Sequence, residues 1–383
     1  MKDIKNILIA CDKYKGSLSS IEVCEIIKEA IIELRPQINV ITSPMADGGD
    51  GTVDTLVNSL EGEYVDVEVT GPLGEKVNSR FGIVFENTAV IEMASASGLW
   101  LVPEEKRDPE KTTTYGTGEL IKKAMEIGCK QIIIGIGGSA TNDAGVGMAQ
   151  ALGVNFFDRN GKKLGYGGGR LSDISKIDIS DIITKKSNDC EVIIASDVDN
   201  ELYGKKGAAY VYGPQKGADK KMVERLDKGL KHFDDMVKKE IGLKIGKVKG
   251  SGAAGGLGAG LIVFLNGKMK PGAEIIIELT GMEKKIRNSD LIVTGEGKLD
   301  DQTLYGKSPY AIAKLAKKYG KKVITFNGTN DIMTSKETVK RFEQFFDANF
   351  SIVNRPMELK EAMSRAPELL KKISTEVFKV LFL

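Results

Sequence analysis

Residues 5–42 read KNILIACDKYKGSLSSIEVCEIIKEAIIELRPQINVIT. Lys5 to Ala10 alternates weakly and reads as a buried strand. Ser19 and Glu22 have the spacing of a capping box. Val23, Ile27, Ile31 and Leu34 then recur at helical period until Pro36 stops the helix. Ile38 to Thr42 is a second strand, ending in PMADGGDGT (44–52) before a helical pattern from Val53 to Leu60. Strand, helix, strand, helix predicts a parallel sheet, with functional loops at the carboxyl ends of its strands.

The same texture returns near the other end of the chain. Leu291 to Val293 reads as a strand that runs into TGEGKLDDQ (294–302). Ser308 and Pro309 read as N-cap and first residue of a helix, Gly320 as its C-terminal glycine, and Lys322 to Phe326 as the next strand. Between these ends the pattern changes. Residues 64–94, YVDVEVTGPLGEKVNSRFGIVFENTAVIEMA, alternate with period two and carry turn signals at Gly71–Gly74 and Glu86–Asn87, so antiparallel strands are expected. Helix, strand and helix resume over Gly116–Leu152, Val192 to Ala195 is a further strand, and Asp219 to Lys239 reads as a charged surface helix. The expected fold is α/β with two domains. Residues 1–61 and 289–383 together form a Rossmann- or flavodoxin-like parallel sheet, and residues 62–288 are an inserted mixed-sheet domain.

Bulk composition narrows the function. A length of 383 residues allows two or three domains at about 150 residues each. Fifty-five Lys and Arg nearly cancel 53 Asp and Glu, so no electrostatic footprint for nucleic acid or membrane exists and a small-molecule partner is expected. Cys11, Cys24, Cys129 and Cys190 form no C-x-x-C pair, which predicts reduced thiols in a cytoplasmic protein. No signal-peptide pattern opens the chain, and the longest apolar stretch, Gly252–Leu265, is too short and too Gly-rich to span a bilayer. The single histidine, His232, reads as a solvated helix-face residue, so proton transfer falls to a carboxylate or lysine.

Four strand-end loops combine glycine with carboxylates or hydroxyls. They supply Asp47 and Asp50; Ser139, Thr141, Asn142 and Asp143; Asp197, Asp199 and Asn200; and Glu296, Asp300 and Asp301. Glycine lets backbone amides close on an anion, and neighbouring carboxylates repel unless a cation or proton shares them. The set suits a Mg²⁺–phosphate site. Each loop also has ordinary turn and cap chemistry as an alternative. Residues 131–147, QIIIGIGGSATNDAGVG, place Gly135, Gly137 and Ala140 at dinucleotide-turn spacing, with Asp158 near the ribose-binding position. That keeps an NAD-dependent oxidoreductase of hydroxy acids as a rival. Gly306-Lys307-Ser308 resembles the end of a phosphate loop, but Asp301 stands where its first glycine belongs. Lys15 and Lys307 remain candidates for phosphate contact. Arg80 and Arg107 are candidates to clamp a substrate carboxylate, and Gly255 and Gly256 to admit a nucleotide to the backbone.

These stretches, with TGPLG, IEMASASGL, RDPEKTTTYGTGEL, ASDVDN, GPQKGA, SGAAGGLGAGL, TGEGKLDDQTLYGKSP and FSIVNRP, run in order from Cys11 to Pro356. They resemble the bacterial glycerate kinases that phosphorylate D-glycerate with ATP. The resemblance implies two α/β domains with a catalytic cleft between them, ATP, a divalent metal such as Mg²⁺, and 2-phosphoglycerate as product, with 3-phosphoglycerate as the alternative. It leaves a homodimer open. Two departures stand out. The first motif, commonly Asp-Ser-Phe-Lys, is here Asp12, Lys13, Tyr14 and Lys15. The Pro-Leu-Cys or Pro-Leu-Leu that commonly follows DVDN is here Glu201, Leu202 and Tyr203. On this reading Asp197, Lys15, Asp47 and Lys307 are catalytic, with Asp197 the general base and Asp47 or Glu296 its rivals. Gly137, Gly138, Ser139, Thr141, Asn142, Asp143, Gly255 and Gly256 hold the nucleotide. Ser17, Asp50, Arg80, Arg107 and Glu296 contact the substrate, and Asp199 and Glu296 meet the metal.

Overall fold

A computed structural model describes residues 4–183, 190–331 and 336–383. The chain begins with β1 (Asn6–Cys11), α1 (Ser20–Leu34), β2 (Asn39–Thr42) and α2 (Thr52–Ser59). Strands β3 (Glu63–Thr70), β4 (Lys76–Val84) and β5 (Thr88–Glu92) follow. Next come α3 (Tyr115–Glu126), β6 (Gln131–Gly135), α4 (Val146–Ala151), β7 (Glu191–Ala195), α5 (Lys220–Glu240), α6 (Leu257–Leu265) and β8 (Lys268–Lys270). The last part holds α7 (Gly272–Leu279), α8 (Met282–Arg287), β9 (Leu291–Gly295), α9 (Ser308–Lys318), β10 (Lys322–Asn327), β11 (Ala348–Ser351), α10 (Leu359–Ser364) and α11 (Ala366–Leu381).

Two compact units result: Met1–Asp47 with Pro271–Leu383, and Gly48–Lys270. The boundaries therefore fall at 47/48 and 270/271, not at 61/62 and 288/289. Helix α2 packs on β4 and β5, where Gly82 leaves room for Val57, so it belongs to the second unit. Helices α7 and α8 pack on α9 and belong to the first.

The first unit is a five-stranded, wholly parallel sheet in the order β11-β10-β9-β1-β2. Renumbered within the unit this is 2-1-3-4-5, the flavodoxin-like winding, which reverses direction between β1 and β9. Its strands are apolar because helices cover both faces of a parallel sheet. On one face Ile7, Ile9 and Cys11 pack with Val23, Ile27 and Ile31 of α1 and with Leu369, Leu370 and Phe378 of α11. Each such fully buried aliphatic side chain contributes roughly 1.5–3 kcal/mol. The capping box that opens α1 is present: Ser19 accepts from the Glu22 amide, and the Glu22 carboxylate accepts from the Ser19 amide at 2.8 Å. Helix α9 starts one residue earlier than expected, with Lys307 as N-cap and Ser308 as the first helical residue.

The second unit is a six-stranded mixed sheet, β8-β7-β6-β5-β4-β3, parallel from β8 to β5 and antiparallel from β5 to β3. Ile132, Ile134, Val192 and Ile194 pack with Leu120 and Ile121 of α3 and Leu257 and Leu261 of α6. The α5 helix, expected over Asp219–Lys239, runs from Lys220 to Glu240 with Asp219 as its N-cap. His232 lies half-buried rather than solvated, its Nε2 2.7 Å from the Ile174 carbonyl. Among the described residues no helix is long and apolar enough to cross a membrane.

Candidate active site

In the first unit, chain ends that are far apart in sequence meet at the reversal between β1 and β9. Asp12 follows β1, and its amide donates to the Gly295 carbonyl at 2.8 Å. Glu296 follows β9. Open doubly wound sheets bind ligands at this position, and a cavity of about 540 Å³ opens there. Lys15, Ser17, Asp47, Glu296 and Lys307, all expected from sequence, line it. So do Asp12 and Lys13, which sequence reasoning did not select as site residues.

Asp12 is buried. Its carboxylate accepts from Ser308 Oγ at 2.6 Å and from the Lys13 amide at 2.7 Å. Burial, and then the nearby Asp47 charge, push its carboxyl up to about 6 against these bonds. Lys13 Nζ reaches Asp47 at 3.3 Å. Glu296 is 8% exposed and accepts from Thr303 Oγ1 at 2.6 Å. Burial pushes its carboxyl up to about 7, although Lys307 Nζ lies 3.5 Å away. Lys307 also lies 3.5 Å from Asp300, so at the N-cap of α9 one ammonium faces two carboxylates. Ser17 donates to the Met363 carbonyl at 2.7 Å, which ties the Lys15 loop to α10.

The second unit gathers a different set. Ser139 Oγ lies 3.0 Å from Thr141 Oγ1 and accepts from the Thr141 amide at 3.1 Å. Ala140 and Ala144 amides donate to Ser97 and Gly255 carbonyls. Three amides of this loop are therefore committed to protein partners, and any anion cradle falls to Gly137–Ser139. Lys216, also unselected from sequence, is 2% exposed and donates to the Thr141 carbonyl at 2.7 Å and to Ser139 Oγ at 3.3 Å. Burial lowers its ammonium to about 7, with Asp143 acting in the other direction. Asn142 is fully buried, and neither atom of its side-chain amide has a partner. An unpaired buried amide costs about 1–3 kcal/mol, so Asn142 is the residue of this loop whose chemistry asks for a ligand.

Several expected contacts are otherwise engaged. Asp143 accepts from Thr114 N and Oγ1 and from the Gly145 and Gly147 amides, so it fastens the starts of α3 and α4 and is not a free ligand. A Cβ on Gly255 would sit 1.9 Å from the Thr141 carbonyl, and one on Gly256 2.8 Å from Ala144 Cα. These glycines admit the 141–144 loop. Arg80 pairs with Asp54 at 2.9 Å and lies over the Tyr64 ring, outside both residue sets. Arg107 is half-buried, its Nε unpartnered and its carbonyl against Gly217, the neighbour of Lys216. Asp50 approaches Gly138. Asp197 and Asp199 stand exposed after β7, with Asp199 paired to Lys249 at 3.2 Å.

The dinucleotide reading fails on geometry. A Cβ on Gly135 would meet the Gly48 carbonyl at 2.3 Å, and one on Gly137 would meet Gly49 Cα at 3.0 Å. The glycines make room for another loop of the same unit, not for a pyrophosphate. Asp158 accepts from the amides of Asn160 and Lys162 and so closes its own turn.

Among the described residues no group of three or more His, Cys, Asp or Glu side chains is placed to hold a metal ion. Asp12 and Asp47 are a smaller donor set whose mutual repulsion a cation would relieve.

Comparison with known proteins agrees along the whole chain. The glycerate kinase family model matches residues 7–382. A glycerate kinase of Halalkalibacterium halodurans is 45% identical over 98% of this chain and 97% of its own length. A glycerate 2-kinase of Escherichia coli K12 is 44% identical over 97% and 96%. A crystal structure assigned as a glycerate kinase 2 of Salmonella typhimurium LT2 superposes with a TM-score of 0.87 at 41% identity, covering 99% of this chain and 98% of that one.

Proposed function

This chain belongs to the glycerate kinase family, which makes it a phosphotransferase, and from that premise we propose that it transfers the γ-phosphoryl group of ATP to the 2-hydroxyl of D-glycerate. The observation that carries this reading is the cavity at the β1/β9 reversal, where lysines and raised carboxylates line one wall. Phosphoryl transfer has a loose, charge-rich transition state, so positioning and charge neutralisation do most of the work. Lys15 and Lys307 are assigned to phosphate charge. Glu296 is assigned to the acceptor hydroxyl proton, because a carboxyl pushed up to about 7 holds or releases a proton at neutral pH. Asp197, exposed after β7, is its rival.

Asp12 and Asp47 fit a Mg²⁺ ion that arrives with the nucleotide, since that ion keeps most of its waters and takes one or two carboxylates beside phosphate oxygens. When bound it would neutralise phosphate charge. The 2-position rests on the E. coli relative named glycerate 2-kinase. A cytoplasmic setting is proposed from the four free thiols, three of them buried.

The test is ADP release by the purified protein with ATP, Mg²⁺ and D-glycerate, each omitted in turn. Release that requires all three supports the reading. ATP binding without glycerate-dependent ADP release would turn it into a nucleotide sensor, and NADH binding would revive the oxidoreductase.

A further inference from the structure

The cavity of the first unit has two unlike walls. One carries Asp12, Lys13, Lys15, Asp47, Glu296 and Lys307. The other is formed by Ile352 and Val353 after β11, by Leu359, Ala362 and Met363 of α10, and by Ala366. D-glycerate is a three-carbon acid with a polar group on every carbon. It has nothing to place against an aliphatic wall and would fill little of a cavity of about 540 Å³. Cavities of roughly 300–1,000 Å³ suit ligands of drug or nucleotide size. Leu359, at the lip, is 76% exposed, an apolar side chain with room for a ligand to cover it. Met363 reaches across Gly16, whose φ of +75° leaves no space for a side chain there: a Cβ would lie 2.8 Å from the Met363 methyl. Together with the Ser17 bond to the Met363 carbonyl, this contact fixes the lysine loop against the apolar wall.

We propose that this cavity is the nucleotide site of the kinase reaction, with the adenine and ribose of ATP packed on Ile352, Val353, Leu359 and Met363 and its phosphates turned to Lys13, Lys15 and Lys307. The inference rests on the kinase reading above and moves the nucleotide from the Gly137–Asp143 loop and Gly255–Gly256, where sequence alone had placed it. The position also follows the general rule for doubly wound sheets, since it lies at the carboxyl ends of β1 and β9 where the strand order reverses.

Photolabelling of the whole protein with 8-azido-ATP, without glycerate, followed by peptide mapping, tests the placement. Label within residues 352–366, displaced by excess ATP, is expected. Label within 137–143 or 253–256 would overturn it while leaving the kinase reading intact. In parallel, Ala362→Trp fills the wall. Its affinity for a non-hydrolysable ATP analogue, measured by calorimetry, should fall at least about tenfold (about 1.4 kcal/mol). Unchanged affinity in a folded Ala362→Trp protein would count against the proposal. Should that variant not fold, the wild-type label decides alone. Loss of glycerate-dependent ADP release from wild type is a separate failure, that of the kinase reading itself.

Discussion

Lys216 holds the Thr141 carbonyl at 2.7 Å from inside the second unit, one residue before the unpartnered amide of Asn142. A buried ammonium thus fixes the loop that follows β6. The arrangement has a thermodynamic cost, because burial lowers the Lys216 ammonium from 10.5 to about 7. Between pH 7 and about 10 the unfolded chain binds this proton and the folded one does not. Stability therefore rises with pH across that window, by at most about 1.4 kcal/mol per unit. Urea unfolding at pH 7.0, 8.0 and 9.0 should show this slope, and Lys216→Met should lose it. A slope identical in both proteins would mean that the buried lysine stays charged.

Glu296 carries the opposite sign. Its carboxyl rises from 4.5 to about 7 on folding, so the folded state holds a proton that the unfolded state has lost. Its contribution to stability declines as pH rises from about 4.5 to 7. For catalysis, the ionised form is the base. The acid limb of kcat/KM should bend near pH 7, and Glu296→Gln should lower kcat by roughly 10²–10⁴ and abolish that limb. Asp197→Asn, measured beside it, should retain turnover within about tenfold. The reverse ranking, with Asp197→Asn crippled and Glu296→Gln active, would hand the proton to Asp197.

Lys307 faces Glu296 and Asp300 at 3.5 Å each. Replacement by Met leaves Glu296 without its cation, while Asp300 keeps Lys298 at 3.9 Å. Lys307→Met should raise the KM for ATP and shift the acid limb further upward, since the group that lowers the Glu296 carboxyl is gone. A pH profile unmoved by Lys307→Met would separate this pair from the reaction.

Gly255 and Gly161 both have φ near +70° but differ in surroundings. A Cβ at Gly255 would lie 1.9 Å from the Thr141 carbonyl, whereas one at Gly161 meets nothing within 4 Å. Gly161→Ala should cost only about 1 kcal/mol of backbone strain. Gly255→Ala should cost more than the roughly 1–3 kcal/mol of strain alone, because the 141–144 loop must move. Equal urea midpoints for the two variants would remove the packing role of Gly255.

What the sequence disclosed and what it hid follow physical range. The α1 capping box and the alternation of β1, α1 and β2 depend on residues within a few positions of each other, and they were legible from residues 5–42. The pairing of Asp12 with Ser308 joins residues 296 apart, and Arg80 found Asp54 rather than a substrate. Neither pairing has a local signal. Asp12 became a site residue only once the order β9-β1 placed it beside Glu296. Lys216 sits inside the GPQKGA stretch, but nothing in spacing says that a lysine between Gln215 and Gly217 is buried. Gly255 and Gly256 illustrate the converse: a glycine-rich run marks a close approach of backbone, but what approaches, loop or ligand, is decided by tertiary structure. Helix α2 moved the unit boundary for the same reason, since its apolar face pairs with β4 and β5 further along the chain.

Phosphorus NMR of the product formed from D-glycerate, ATP and Mg²⁺ tests the central claim most directly. A glycerate-dependent phosphoester with the resonance of 2-phosphoglycerate is the result expected. A 3-phosphoglycerate resonance would keep the phosphoryl transfer and overturn the position of attack, and the absence of any glycerate-dependent phosphoester would contradict the account.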